Sequence, residues 1–476
     1  MVFSSIPFIF YFAPAFFLLL FCSRSKNLAI LIGSALFYSW GELKWLPLLG
    51  LSIVFNFYAA ALLSRLQGRS RDWFLYFAII ANLTPLIIFK YAEFVLSNLQ
   101  EIIGKTSLSF EFGLPLGISF FTFQAISYII DVYRGSQKRE GTLRDYATYI
   151  FLFPHLIAGP IVRYADIHDE LKHRSVGVEK VAVGLQYFIV GLCQKVLIAN
   201  TLASPADYVF GLELGTVSML EAWIGSVSYM LQIYFDFCGY SNMAIGLAFM
   251  MGFHFPRNFN YPYISRSIGE FWRRWHISLS FWFRDYVYIP MGGNRVSRAK
   301  LIRNVLIVFT LTGLWHGAAW TFIVWGFYHG AFVALERAGF GAVLNRLPSA
   351  LQHGYALLVV LVGWVIFRAE SMPQTLDILT AMAGFGAEAS SPLGLWLNPE
   401  IILALILGPA FATPLLPLLL RWAGRIEVEG ALAYPNQPDV RVIIRLIPVS
   451  VLALGFVVSV TALAASSLNP FLYFRF

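Results

Sequence analysis

Charge is scarce in this chain. Of its 476 residues only 13% are Asp, Glu, Lys or Arg, where a soluble domain carries roughly 25%. A soluble fold cannot cover its surface with so few charges, so lipid must solvate part of it. Cysteine is scarcer still. Cys22, Cys193 and Cys238 are the only three, and they form neither a disulfide framework nor a zinc-ligand spacing. No metal site is expected. A P-loop, a Rossmann fingerprint, a GxSxG elbow and an HExxH pair are all missing. ATP hydrolysis and serine or zinc hydrolysis therefore lack support. No internal repeat is visible, which weighs mildly against a transporter built from repeated halves. The net charge of +8 raises the question of nucleic acid. No basic patch sits on a soluble module, however, and excess Lys and Arg is the ordinary mark of cytoplasmic loops. No nucleic acid partner is expected.

What is abundant is apolar sequence: 58% of residues are hydrophobic and the mean hydropathy is +0.68. A spanning helix uses about 20 residues. Apolar stretches recur along nearly the whole chain, which predicts an all-α polytopic protein in contact with membrane lipid. About a dozen spanning or partly inserted helices are expected. Spans are expected near Ile6–Phe21, Leu28–Tyr38, Leu46–Leu63, Trp73–Ile88, Leu114–Ile130, Tyr149–Ile161, Val181–Leu197 and Val217–Phe235. Two short ones follow at Ala244–Phe255 and Leu301–Phe309. Ala319–Leu335, Ala356–Phe367, Ile401–Leu420 and Val442–Leu463 complete the set. Prolines 47, 85, 115, 154 and 160 interrupt several of them. Broken helices in lipid are tolerated where they are buried in protein or line a cavity, so an internal site is expected. The chain reads as a single integral membrane domain, 1–476, with its motif-rich core at about 110–335. The polar connections Gly384–Glu400 and Arg421–Pro438 carry no catalytic motif.

The apolar run Met1–Cys22 precedes Arg24 and Lys26. A signal peptide has the opposite order, so a retained first helix with its end in the cytoplasm is expected. Arg65, Arg69 and Arg71 fit a cytoplasmic segment, as does the stretch around Arg134, Lys138, Arg139 and Arg144.

Chemistry concentrates in two places. Read as one helix, Ile268–Tyr286 carries an aromatic stripe through Phe271, Trp272, Trp275 and Trp282. Glu270, Arg273, His276, Ser280 and Arg284 lie away from it. That pattern suits a helix at the membrane interface, with Glu270 paired to Arg273 or Arg274. It is either a structural surface helix or one whose cationic edge attracts an anionic cofactor. For the second case the candidates are Arg273, Arg274, Trp275 and His276, facing the phosphates of a coenzyme A. The second place is Leu311–Gly330, where His316 and His329 stand in a strongly apolar stretch. An ionisable group in a membrane is costly and marks function by default. Histidine is suited to take a proton from a hydroxyl near neutral pH. The plain alternative is a neutral histidine bridging two helices. Gly313 and Gly317 are four apart, as are Gly326 and Gly330, which permits close helix approach. The two histidines are 13 residues apart. On one straight helix that is about 20 Å of rise and about 220° of rotation. Either the chain breaks between them or only one is catalytic; His316 is the favoured base and His329 a secondary or structural partner.

Two further constellations are Pro154–Arg163, with His155 between prolines, and Gln232–Gly246, which places Asp236 near Tyr240, Ser241 and Asn242. Asp236 suits orienting a histidine, holding a substrate hydroxyl, or a plain helix-to-helix hydrogen bond.

Taken together, PHLIAGPIVRYADI (Pro154–Ile167), QIYFDFCGYSNMAIG (Gln232–Gly246) and NYPYISRSIGEFWRRWHISLSFWFRDYVYIPMGGNR (Asn260–Arg295) resemble the membrane-bound O-acyltransferase family. So do GLWHGAAWTFIVWGFYHG (Gly313–Gly330), GWVIFRAES (Gly363–Ser371), LPLGISFFTFQAISYIIDVYRG (Leu114–Gly135) and NPFLYFRF (Asn469–Phe476). The similarity is to its alginate O-acetyltransferase branch and covers almost the whole chain. The resemblance implies a ring of helices around a central funnel or tunnel in the bacterial cytoplasmic (inner) membrane. It implies an O-acyltransferase, most simply an O-acetyltransferase. The acyl group passes from a cytoplasmic donor, acetyl-CoA, to an extracytoplasmic polysaccharide or cell-wall polymer, with an alginate-type exopolysaccharide as the leading acceptor. It also implies a periplasmic or membrane-anchored SGNH-hydrolase-like partner. His316 takes the place of the family's essential histidine in the WHG element, with His329 in the same stretch. Distant branches carry a histidine in a later helix; here Ala356–Phe367 has none and His353 lies just before it. A transporter or flippase, and a non-catalytic scaffold of a polymer export complex, remain the rival readings.

Overall fold

The computed structural model describes residues 1–104, 113–388, 392, 394, 396–415 and 447–465. The expected connection Arg421–Pro438 and the terminal Asn469–Phe476 lie outside them, as do parts of Ile401–Leu420 and Val442–Leu463. Among the described residues the fold is helical, and the one β-type pairing is an isolated bridge between Ser218 and Ala387.

Four helical stretches are long and apolar enough to cross a membrane: Lys26–Leu63, Gly68–Ile103, Val178–Phe210 and Ser349–Arg368. Shorter apolar helices are Phe8–Cys22, Pro399–Phe411 and Val449–Ala465. Many large apolar side chains of these stretches face outward, as at Leu51, Ile80 and Leu358, while Asn56 and Asn82 are buried. The two amides bond to each other in both directions at 2.8 Å. Apolar outside and amide-paired inside is the arrangement lipid demands, because an unsatisfied amide in hydrocarbon is costly.

Several expected boundaries move. Val217–Phe235 and Ala244–Phe255 are not two spans, since one helix runs unbroken over Met219–Met250. Leu301–Phe309 is the middle of a full helix, Arg298–His316. Its polar first turns hid it from an apolar window. Tyr149–Ile161 is not a span: helix Leu143–Phe151 stops, a single turn Phe153–Leu156 follows, and Pro154 and Pro160 hold the rest open.

The chain divides into two compact units. The first holds residues 1–188 and 243–256. Its core is an aromatic cluster around Phe3, Phe8, Phe37 and Phe153. Asn27 is a polar junction there: its amide donates to Asp145 Oδ1 at 2.7 Å and to the Leu171 carbonyl at 2.9 Å, and Arg174 donates to its oxygen at 2.6 Å. His155 is fully buried and spends its Nε2–H on the Tyr149 carbonyl, 2.7 Å away. Arg71 donates to the Tyr133 carbonyl at 2.7 Å. The two basic segments expected on one side of the membrane thus meet at that contact.

The second unit holds residues 189–242 and 257–476. Its centre is a hairpin of Arg298–His316 and Trp320–Leu335, against which Ser349–Arg368 packs. Wider helical turns interrupt regular helix at Gln194–Ala199 and Glu336–Phe340. Each carries an ionisable side chain that meets a neighbouring helix. Lys195 comes from the first. Glu336 comes from the second and caps the helix Ile268–Arg274, accepting from the N–H groups of Ile268 and Gly269 at 2.6 and 2.9 Å.

Candidate active site

The hairpin exists because glycine lets its two backbones touch. A Cβ on Gly313 would lie 2.2 Å from the Phe322 carbonyl oxygen, and one on Gly326 would lie 2.3 Å from the Phe309 carbonyl oxygen. The seam therefore pairs Gly313 with Gly326 across the two helices. The chain breaks between the two histidines, the first of the two expected alternatives. His316 is the last residue of its helix, Gly317 and Ala319 are extended, and the next helix starts at Trp320.

His316 is buried in an aromatic shell. The rings of Trp315, Trp325 and Phe367 lie 4.9, 5.1 and 5.3 Å from it, each edge to face. His329 is fully buried one turn beyond Trp325, whose ring lies 5.3 Å away. Trp325 therefore touches both histidines. Neither ring nitrogen of His329 has a hydrogen-bond partner among the described residues. Its Nε2 faces Gly363, where an added Cβ would lie 2.4 Å away. The GWVIFR segment accordingly supplies Gly363 against one histidine and Phe367 against the other. Arg368 closes its helix by pairing with Asp207 at 2.7 Å. His353 stands apart and donates to the Ser265 carbonyl at 3.2 Å.

The expected single helix Ile268–Tyr286 is broken. Ile268–Arg274 ends, Trp275 is extended, His276 is left-handed at φ 43°, and a new helix runs Ile277–Phe283. The cause is Asn258. Its carbonyl accepts from Ile277 N at 3.0 Å. Its side-chain oxygen accepts from Ser278 N, Ser278 Oγ and His276 Nδ1 at 3.3, 2.9 and 3.2 Å. The break turns His276 off the polar edge predicted for it and into full burial, 4.6 Å from the ring of Phe237 and 6.4 Å from that of His316.

The four candidate cofactor residues consequently do not share a face. Arg273 is exposed. Arg274 pairs with Glu270 at 2.9 Å and also donates to the Asn260 carbonyl at 3.1 Å. Trp275 is buried against Phe259, Phe271 and Trp364.

Of the expected roles of Asp236, the structure shows a bond from helix to helix. Its carboxylate forms an ion pair with Lys195 at 2.7 Å, both side chains 2% exposed. Asn242 donates to Gln194 at 2.8 Å just beside it, and Tyr240 is buried on the same helix. Gly239 permits this approach, since a Cβ there would lie 2.7 Å from the Gly191 carbonyl oxygen and 3.0 Å from Lys195 N. Lys195 and Asn258 were missed in the sequence. A lysine inside the apolar run Val181–Leu197 was the available signal for the first; Asn258 left no local signal.

Among the described residues no cluster of His, Cys, Asp and Glu is arranged to hold a metal ion. The chemistry on offer is that of buried imidazoles in an aromatic shell, suited to taking a proton from a hydroxyl.

Comparison with known proteins agrees in kind. The model of the membrane-bound O-acyltransferase family matches residues 142–344, which include His276, His316 and His329. The probable alginate O-acetylase AlgI of Pseudomonas aeruginosa is 41% identical over the full length of both chains. The protein of the same name from Azotobacter vinelandii is also 41% identical over both full lengths. The peptidoglycan O-acetyltransferase of Helicobacter pylori is 35% identical over all of this chain and 98% of its own.

Proposed function

The chain belongs to the membrane-bound O-acyltransferase family, and from that premise we propose that it carries acetyl groups from cytoplasmic acetyl-CoA toward an extracytoplasmic, alginate-type polysaccharide. It is an integral membrane acyltransferase. In our reading it lies in the bacterial cytoplasmic membrane, with about a dozen spanning and re-entrant helices ringed around a central funnel. The relatives named for alginate and for peptidoglycan support an extracytoplasmic polymer as the destination. A periplasmic or membrane-anchored SGNH-hydrolase-like partner completes the esterification.

The observation that carries this reading is the place of His316: last residue of a helix, buried, and ringed by Trp315, Trp325 and Phe367. As the acceptor oxygen attacks the thioester carbonyl, its O–H proton passes to a ring nitrogen of His316. The new C–O bond forms, the C–S bond breaks, and the imidazolium returns its proton to the leaving thiolate. The aromatic shell excludes water that would otherwise hydrolyse the thioester. Trp325 fixes His316 and His329 together, so His329 acts as packing partner to the base. Arg273, exposed on the turn that precedes His276, attracts the donor's phosphates.

The test is polymer-linked O-acetyl in cells carrying His316→Ala against wild type, at matched membrane levels. Loss of acetyl is expected. Full acetylation by the variant would remove His316 from the chemistry and turn the search for the base to His329.

A further inference from the structure

Positive charge gathers at one end of the second unit. Residues 257–303 carry nine Lys and Arg, from Arg257 to Arg303, whereas residues 196–256 and 369–420 carry none and hold only acidic charge. The helices Arg298–His316 and Ser349–Arg368 run between the two regions: the first starts among the basic residues, and Phe367 of the second touches His316 at its far end. Loops rich in Lys and Arg stay in the cytoplasm, so the end at His316 and Arg368 faces outward.

A platform is built at that outer end, from residues 210–220 and from 369–388, which begin directly after Arg368. Gly215 N donates to Asp377 Oδ1 at 3.0 Å, Gln374 Nε2 to the Phe210 carbonyl at 2.7 Å, and Ala387 N to the Val217 carbonyl at 3.0 Å. Trp223 Nε1 ties it down by donating to the Met382 carbonyl at 2.9 Å. These bonds fix the two segments together, yet their apolar side chains stay uncovered. Phe385 is 85% exposed, next to the left-handed turn at Gly384, and Leu214, Met219, Leu220 and Leu376 are each more than half exposed. Glu213, Glu370 and Glu388 are exposed on the same segments. An uncovered apolar patch with a charged rim marks an interaction surface. The sign of the rim selects the occupant. An anionic polysaccharide or an anionic lipid headgroup meets like charge there, while a basic protein face meets its complement.

We propose that this platform is the docking surface for an extracytoplasmic protein that presents a basic rim around an apolar centre, with Phe385 as the central anchor. This rests on the acyltransferase reading above and adds where the recipient of the acetyl group binds and which charge it carries. Docking at the end of the helix that touches His316 places the recipient beside the outward end of the site. The acidic rim in turn keeps a polyanionic polymer off this surface, so the polymer is met by the docked protein.

The test uses the full-length protein in cells that acetylate their polymer. Benzoylphenylalanine, a photo-crosslinking residue, replaces Phe385, and Leu358, exposed on a membrane-spanning helix, is the control position. Position 385 is expected to capture one exported protein, identified by mass spectrometry, which position 358 does not capture. Glu213→Lys, Glu370→Lys and Glu388→Lys together are expected to lower both that crosslink and polymer-linked O-acetyl by about tenfold or more, because like charges across an interface repel. The three Glu→Gln changes add no positive charge that could disturb insertion, and are expected to lower both several-fold at unchanged membrane level and melting temperature. Reversing the facing basic residues of the captured protein is expected to restore the crosslink to the Lys variant. His316→Ala tests the underlying chemistry separately: it is expected to abolish polymer acetyl and to keep the crosslink. A His316→Ala protein that keeps polymer acetyl counts against that chemistry and leaves the docking surface standing. Crosslinks from position 385 to lipid or polymer alone overturn the proposal. So do a captured protein indifferent to all three charge changes, and full polymer acetylation by the Lys variant.

Discussion

Lys195 Nζ lies 2.7 Å from a carboxylate oxygen of Asp236, and both side chains are almost wholly withdrawn from solvent. Removing one partner strands a buried charge, which costs about 3–5 kcal/mol, whereas replacing both with apolar residues is often neutral. Lys195→Met and Asp236→Leu are each expected to lose that much stability. The double variant is expected to recover most of it. Unfolding in detergent, followed as a double-mutant cycle, checks this; additive losses would mean that the pair does not act as a pair.

The seam of the central hairpin gives a second expectation. A methyl on Gly313 or Gly326 would collide with a backbone carbonyl, at 2.2 or 2.3 Å, and a backbone cannot swing aside as a side chain can. Gly326→Ala is expected to cost about 1–3 kcal/mol, the usual range for overpacking. It should also cut acyl transfer, because separating the helices moves His316 relative to Trp325. Thermal melting and transfer rate, measured on the same preparation, should fall together. A stable, fully active Gly326→Ala protein would show that the seam yields without disturbing the site.

Gly363 offers a sharper test of how His329 is held. Its missing Cβ would sit 2.4 Å from His329 Nε2, so Gly363→Ala must push the imidazole away. A loss of about 1–3 kcal/mol is expected. In a His329→Ala background the same methyl enters the space the ring has left, and the further cost is expected to shrink or change sign. Equal cost in both backgrounds would assign the strain to the backbone of Ser349–Arg368 instead.

How much of this was legible follows from how local each cause is. Membrane class and close helix approach are written in short windows: few charges, apolar runs, and glycines four apart. The chain break between His316 and His329 was one of two open alternatives, and Gly317 with Ala319 decides it by going extended. The turn at His276 was not legible. A left-handed histidine inside a helical pattern is stable only because Asn258, 18 residues earlier, supplies acceptors for Ile277 N, Ser278 N and His276 Nδ1. Periodicity sees the stripe and not the distant clamp. The partner of Asp236 was not legible for the same reason: Lys195 lies 41 residues upstream in the chain, on a segment read only for its hydrophobicity.

The two neighbouring arginines of the RRWH element should separate in phenotype. Arg274 is committed to the local fold through Glu270 at 2.9 Å and the Asn260 carbonyl at 3.1 Å. The second bond helps pin residues 258–260 against the broken helix that carries His276. Arg273 is exposed on the same turn. Arg274→Ala is therefore expected to lower stability by about 1–3 kcal/mol, as loss of a charge-assisted bond does, and to lower kcat through the displaced clamp. Arg273→Ala is expected to melt like wild type and to raise the KM for acetyl-CoA several-fold, an effect that weakens as salt screens the phosphates. The salt series is the discriminating measurement. A KM for donor that is unchanged by Arg273→Ala at low ionic strength would take the phosphate role away from this edge of the site. The donor's anionic groups would then have to be met elsewhere.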